Sequence, residues 1–178
     1  SRATMPAEAL EDGPAIGFVP RERNDPALLV FTSGSSGRPK GVLHAQRAFW
    51  ARQSMHVGWH GLRAGDRVIH AGAFNWTFTL GVGLADTWSV GATAILNAGR
   101  RDPDVWPDLA RAFDPTVFAA APAVYRRLLK YGRDLRTGFA SLRHAVTAGE
   151  ALSPAIAESW TRATGKPLLE ALGMSEVS

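Results

Sequence analysis

From about Pro26 onward, short runs of apolar residues alternate with longer stretches in which apolar positions recur every three or four residues. Leu28–Thr32 reads as a strand, Leu43–Val57 as a helix, Arg67–Ala71 as a strand, Thr79–Val90 as a helix and Ala92–Leu96 as a strand. Asp102 is placed to cap a further helix with Pro103 in its first position; Trp106, Leu109 and Phe113 share one face, and Asp114-Pro115 ends it. Thr116–Ala120 is the next strand. Pro122 then opens a helix carrying Val124, Leu128 and Tyr131, which Gly132 closes. Leu142–Thr147 follows as a strand. Ser153 and Pro154 start a helix whose buried stripe is Ile156, Trp160 and Ala163; Gly165 stops it, and Pro167–Leu172 supplies a last strand. Parallel neighbours need crossover connections, so this alternation predicts an α/β fold, a largely parallel sheet with helices on both faces. Ligands in such sheets collect at the carboxyl ends of strands.

The first 25 residues, with Pro6, Pro14 and Pro20 among polar clusters, read as an arm or linker, leaving 26–178 as one core. A chain of 178 residues is long enough to bury that core. Composition agrees: 46% apolar and 20% charged residues exclude a disordered profile. The net charge of +4 comes from scattered Lys and Arg with no basic stripe, so nucleic acid is not an expected partner. With no cysteine, thiol nucleophiles and disulfides are excluded, and a reducing cytoplasm is the expected compartment. The longest apolar runs, Ala27–Phe31 and Val117–Ala123, fall far short of a membrane span, so no membrane partner is expected. The start at Ser1 and the stop at Ser178 suggest a piece of a longer protein.

Chemistry concentrates after the first strand, in Thr32-Ser33-Gly34-Ser35-Ser36-Gly37-Arg38-Pro39-Lys40-Gly41. Gly34, Gly37 and Gly41 let backbone amides approach phosphate oxygens, four hydroxyls add donors and Lys40 adds charge. Read between a buried strand and a helix, the loop would also gain from the positive helix end. It is not a Walker loop, because Pro39 stands at the last glycine position and Gly41 replaces the Mg²⁺-binding hydroxyl. A Gly/Ser linker has no need of the Pro-Lys-Gly ending.

The T-S-G-S-S-G-x-P-K-G run resembles the phosphate loop of the adenylate-forming superfamily, which includes acyl-CoA synthetases, aryl-CoA ligases, luciferases and peptide-synthetase adenylation domains. Three later segments follow in the family's order. Ala73–Gly81 resembles the segment whose aromatic residue gates the carboxylate site, which aligns Trp76 with the gate and sets Phe78 nearby; both could equally be core. Thr147-Ala148-Gly149-Glu150-Ala151-Leu152 resembles the A-G-E-x-L turn that passes the adenine and floors the acyl pocket, although Glu150 reads equally well as a first-turn acid favoured by a helix dipole. Leu172-Gly173-Met174-Ser175-Glu176 resembles Y-G-x-T-E, with Leu172 in place of the tyrosine that would stack on adenine.

The resemblance implies that Thr32–Gly41 and Lys40 hold the β- and γ-phosphates of ATP, and that Gly149, Glu150, Ala151 and Leu172–Ser175 bind AMP. It further implies that Trp76, Phe78, Ala148 and Gly173 form the acyl pocket, that Ser175 meets the α-phosphate and that Glu176 holds Mg²⁺. Lys40, Ser175 and Glu176 are thus the expected catalytic set, with ATP, Mg²⁺ and coenzyme A as cofactors and a small carboxylic acid as partner. Ser89–Ala94, Asp114–Phe118 and the A-G-E-A-L turn are most similar to benzoate and other aryl-CoA ligases. The family's ribose-binding aspartate, hinge and C-terminal lysine lie beyond the Glu176 motif, so the segment alone is expected to be inactive. A non-catalytic nucleotide-binding or interaction module derived from such a ligase is the alternative. His56 and His60 are four apart, but Gly58 and Gly61 disfavour a regular helix and no H-E-x-x-H acid accompanies them, so a zinc site is not expected.

Overall fold

The structure, a computed structural model, describes residues 17–32 and 38–177. Ser33–Gly37 of the glycine-rich loop, most of the N-terminal arm and Ser178 therefore lie outside the described residues. Two sheets organise the rest. Strands β1 (Pro26–Thr32) and β2 (Lys40–Ala45) form an antiparallel pair in which Thr32 faces Lys40 and Phe31 faces Gly41. The second sheet has five parallel strands in the order β4–β3–β5–β6–β7: β3 Arg67–His70, β4 Thr93–Ile95, β5 Val117–Ala120, β6 His144–Thr147 and β7 Leu168–Glu170.

The hairpin corrects the sequence reading twice. The first strand is not part of the parallel sheet and is mostly uncovered, with only Val30 buried and Leu29 and Phe31 exposed. No helix follows the glycine-rich loop, because Lys40–Ala45 pairs back along β1; the helix read as starting at Leu43 begins at Gln46. The reason is geometric. Gly41, Val42 and Leu43 have backbone partners waiting ten to fourteen residues earlier, a pairing that helical periodicity cannot register. The helix end expected to support the loop is therefore not there: Lys40, the loop's last cation, opens a strand.

Past β2 the chain is helical in pieces: α1 (Gln46–Ala51), α2 (Gln53–Met55) and a π-helical turn at His56–His60. Between β3 and β4, α3 (Thr77–Leu80), a π-helical turn (Gly81–Ala85) and α4 (Asp86–Ser89) run on as one rod. The Thr87 hydroxyl donates to Val82 O across 2.6 Å within it. The remaining helices are α5 (Val105–Phe113), α6 (Pro122–Tyr131), α7 (Leu135–Gly138) and α8 (Pro154–Thr164). Asp104, not Asp102, is the N-cap of α5, since Pro103 sits in the turn before it and Asp102 pairs with Arg100. In α6 it is Tyr125 and Leu128 that are buried, while Tyr131 is exposed in the last turn. Helix α8 starts after Ser153 and stops at Gly165, as its sequence predicts.

Alternation along the strands separates two cores, one per face of the sheet. Ile69, Phe118, Ala120 and Ala145 point to one side and pack with Trp106, Tyr125, Leu128, Phe139 and Trp160 from α5, α6, α8 and the turn after α7. Val68, Val117, Ala119 and Val146 point to the other and meet Leu62, Phe78 and Val82. Helices thus cover both faces, and strands buried on both sides read as unbroken apolar runs. At the amino edge Asp66 ties the strands together by accepting from Thr116 Oγ1 (2.7 Å), Arg143 Nη2 (2.6 Å) and the Arg63 N–H (2.9 Å). Burial alone would raise its carboxyl pKa; these donors outweigh burial and hold it below the usual value.

Candidate functional site

The loops that leave the carboxyl ends of β3, β6 and β7 converge, and a cavity of about 370 Å³ opens where they meet α1, α2 and the following π turn. The chain order makes this the expected place. After β3 the next strand is added on one side of it, and β5 is then added on the other, so the loops beside β3 and β5 part.

Six of the residues expected at the site from the sequence share this cavity with Trp76 and Phe78: Ala148, Gly149, Leu172, Gly173, Met174 and Ser175. Trp76, the residue before α3, stands edge-on to Phe78 with ring centroids 5.2 Å apart, and Trp59 stacks on Phe78 from the far side at 6.0 Å. Gly149 has φ +100°, and a β-carbon there would stand 2.5 Å from Trp76 Cζ2. Only glycine lets the turn after β6 pass under the indole. Behind this wall His70 is buried against Phe78 (4.6 Å) and Trp76 (6.4 Å). Its Nδ1 accepts the Gly72 N–H at 2.9 Å, which assigns the proton to Nε2, and burial lowers its pKa to about 3. The ring is neutral at physiological pH.

The other expected residues sit around the cavity rather than in it. Thr32 and Lys40 face each other at the base of the loop, and Gly41 packs on Leu29, where an added β-carbon would come within 3.1 Å of Leu29 Cδ1. His44 of β2 joins hairpin to site: its Nε2 lies 2.7 Å from Ser175 O. Glu150 turns to the start of α6, where its Oε1 accepts the Ala123 N–H (2.9 Å) and Arg126 Nη2 (3.1 Å). This is a helix-start role for the acid, at the helix of another strand connection. Ala151 is exposed beside it. Leu172 lines the cavity yet is 98% exposed, so among the described residues its side chain is barely packed. Glu176 follows Ser175 in the same loop and is exposed, with no ion-pair partner among the described residues. A lone hard carboxylate suits a magnesium ion that brings phosphate oxygens with it, and does not suit a dedicated protein cage.

Sequence reasoning missed a buried charge cluster beside the cavity. Arg52, between α1 and α2, lines the cavity and donates from Nε and Nη2 to both carboxylate oxygens of Asp86 in α4, at 2.8 and 2.5 Å. His56 and His60 approach the same carboxylate at 3.5 and 3.7 Å, and burial lowers the His60 pKa to about 4. The acid absent from the local His56/His60 pattern therefore comes from another helix, 26 residues beyond His60. Arg52 already engages it, and among the described residues no group of three His, Cys, Asp or Glu side chains is arranged to hold a metal ion. No helix of the described residues is long and apolar enough to cross a membrane.

A parallel sheet of this order, with a cavity at its carboxyl edge lined by the turns after β6 and β7, defines a ligand-binding α/β domain. The sequence profile of the AMP-binding enzymes matches residues 3–178, and the chain belongs to that family. A 3-hydroxybenzoate–CoA ligase of Aromatoleum sp. (strain CIB) is 36% identical over 161 residues, 90% of this chain and 31% of the relative. A benzoate–CoA ligase of Thauera aromatica is 30% identical over 165 residues, 89% of this chain and 30% of the relative. The crystal structure of an anthranilate CoA ligase in complex with anthranoyl-AMP superposes with a TM-score of 0.87 at 30% identity, over 95% of this chain and 33% of that one. A benzoate CoA ligase from Burkholderia xenovorans LB400 gives 0.83 at 29%, over 96% and 34%. The chain thus spans about a third of the length of these relatives.

Proposed function

We propose that the protein carrying this chain is an AMP-forming ligase that activates an aromatic carboxylic acid and transfers it to coenzyme A. In the first step a carboxylate oxygen of the acid attacks the α-phosphorus of ATP, and the bond to pyrophosphate breaks. In the second the thiolate of coenzyme A attacks the acyl carbon and AMP leaves. The observation that carries the reading is that Trp76, Phe78, Ala148, Gly149 and Leu172–Ser175 share one cavity, joined through His44 to the strand that begins at Lys40.

The aromatic wall and small floor of that cavity suit a flat acyl group. Lys40 with the hydroxyls and amides of Thr32–Gly41 holds the β- and γ-phosphates, acting by charge and orientation. Ser175 lines the cavity, and its hydroxyl would meet the α-phosphate, while the turn at Gly149–Ala151 would pass the adenine. Glu176 would hold a magnesium ion, which neutralises phosphate charge when bound. The match to relatives that act on benzoate and 3-hydroxybenzoate supports the aromatic class.

Full-length protein incubated with ATP, coenzyme A and benzoate or a hydroxybenzoate is expected to yield the aryl-CoA with one AMP and one pyrophosphate per thioester. Formation of ADP and phosphate in their place, or no thioester with any aromatic acid, overturns the reading.

A further inference from the structure

Among the cavity-lining residues Arg52 alone carries a charge, and its surroundings are arranged to hold it still. Nε and Nη2 are committed to Asp86. Gly81, on the π turn between α3 and α4, makes room for that same edge: a β-carbon there would stand 2.1 Å from Nη2 and 2.6 Å from Cζ. The third nitrogen, Nη1, has no hydrogen-bond partner among the described residues, and it is not one of the side-chain atoms sealed from solvent without a partner. The guanidinium thus keeps a fixed nitrogen whose two N–H groups are unspent, on a residue that lines both the largely apolar cavity of Met55, Trp59, Trp76 and Phe78 and a smaller one beside Leu80 and Gly81.

A buried ion pair of this kind contributes little to stability over an apolar packing of the same shape. Its worth here is placement. Because Asp86 neutralises the guanidinium, a second carboxylate on the substrate would enter a low-dielectric site without a free countercharge. An uncharged acceptor meets no such penalty. With Nη1 turned to the larger of the two cavities, an acid with neither would leave it stripped of water and unpaired, and an unpaired buried donor costs affinity.

We propose that Arg52, held by Asp86, is a specificity-determining residue of the acid pocket, whose Nη1 donates a hydrogen bond to an uncharged polar ring substituent such as a hydroxyl. The inference rests on the assignment of the cavity as the acid site. A polar site of this type discriminates against the analogue that lacks the partner group, because the loss falls on a donor that nothing else satisfies.

The test compares kcat/KM of the full-length protein for benzoate, the ring-hydroxylated benzoates and their methyl isosteres. The wild type is expected to prefer at least one hydroxybenzoate over both the matching methylbenzoate and benzoate by about 10- to 100-fold. Combining Arg52→Gln with Asp86→Asn, which removes both charges together, is expected to shrink that ratio about tenfold. Equal losses on all three acids would mean that Arg52 serves the common carboxylate or the fold alone, and would overturn the proposal. So would a wild-type protein indifferent to hydroxyl against methyl, a result that needs no variant to fold. Inactivity of the wild type toward every acid would instead remove the functional reading on which this inference stands.

Discussion

At Gly149 sequence, backbone and site chemistry meet in one residue. The φ of +100° and the 2.5 Å approach to Trp76 leave no room for a side chain, so the turn after β6 and the indole are fitted to each other. Gly149→Ala is expected to destabilise the protein by about 1–3 kcal/mol and to displace Trp76. Urea unfolding and acid-dependent activity would both register it; unchanged values in both would contradict the packing described here. The buried imidazoles make a second prediction at this scale. His70 and His60 have pKa values lowered by burial to about 3 and about 4, against 6.5 when exposed. Below pH 6.5 the unfolded chain therefore binds protons that the folded one refuses, and stability falls as pH drops toward 4. Urea midpoints at pH 7.5 and 5 are expected to differ in that direction, and His70→Phe is expected to lessen the difference. That Trp76, Ala148 and Gly149 belong to one cavity was legible because each sits in a short local motif. Arg52 and Asp86 were not, since 34 residues separate them and each, taken singly, looks like a solvated charge on a helix.

Elements were legible where burial forces a pattern. Strands β3, β5 and β6 have both faces covered, and their apolar runs, bounded by Asp-Pro, Pro or Gly, read directly as parallel strands. The hairpin escaped because its pairing partner lies across a loop, and because an uncovered strand gives no such run. Helix starts shifted by a few residues wherever proline preceded the first turn instead of entering it, as at Pro103. The amino edge of the sheet rests on Asp66, whose partners come from β3's own turn, from the start of β5 and from the start of β6. Asp66→Asn keeps the shape but removes the charge that Arg143 pairs with. A loss of about 1–3 kcal/mol follows, the Arg143 side chain being partly open to solvent. Thermal unfolding checks this, and because the cavity lies at the opposite edge, activity well below the melting transition is expected to persist.

Across the whole molecule, the five-stranded sheet fixes where the loops after β3, β6 and β7 end, and the hairpin fixes where Thr32 and Lys40 stand beside each other. His44 provides the side-chain tie between the two through Ser175 O. The proposed function divides the labour accordingly: the largely apolar cavity at the sheet edge is assigned to the acid, and the hairpin with its glycine-rich loop to polyphosphate. Acid activation at the α-phosphate is the reaction for which both are needed at once, and it precedes any involvement of coenzyme A. Exchange of labelled pyrophosphate into ATP by the full-length protein, without coenzyme A and with and without an aromatic acid, tests it most directly. The account predicts exchange that appears only when the acid is present; exchange that ignores the acid, or none with any carboxylic acid, would contradict it.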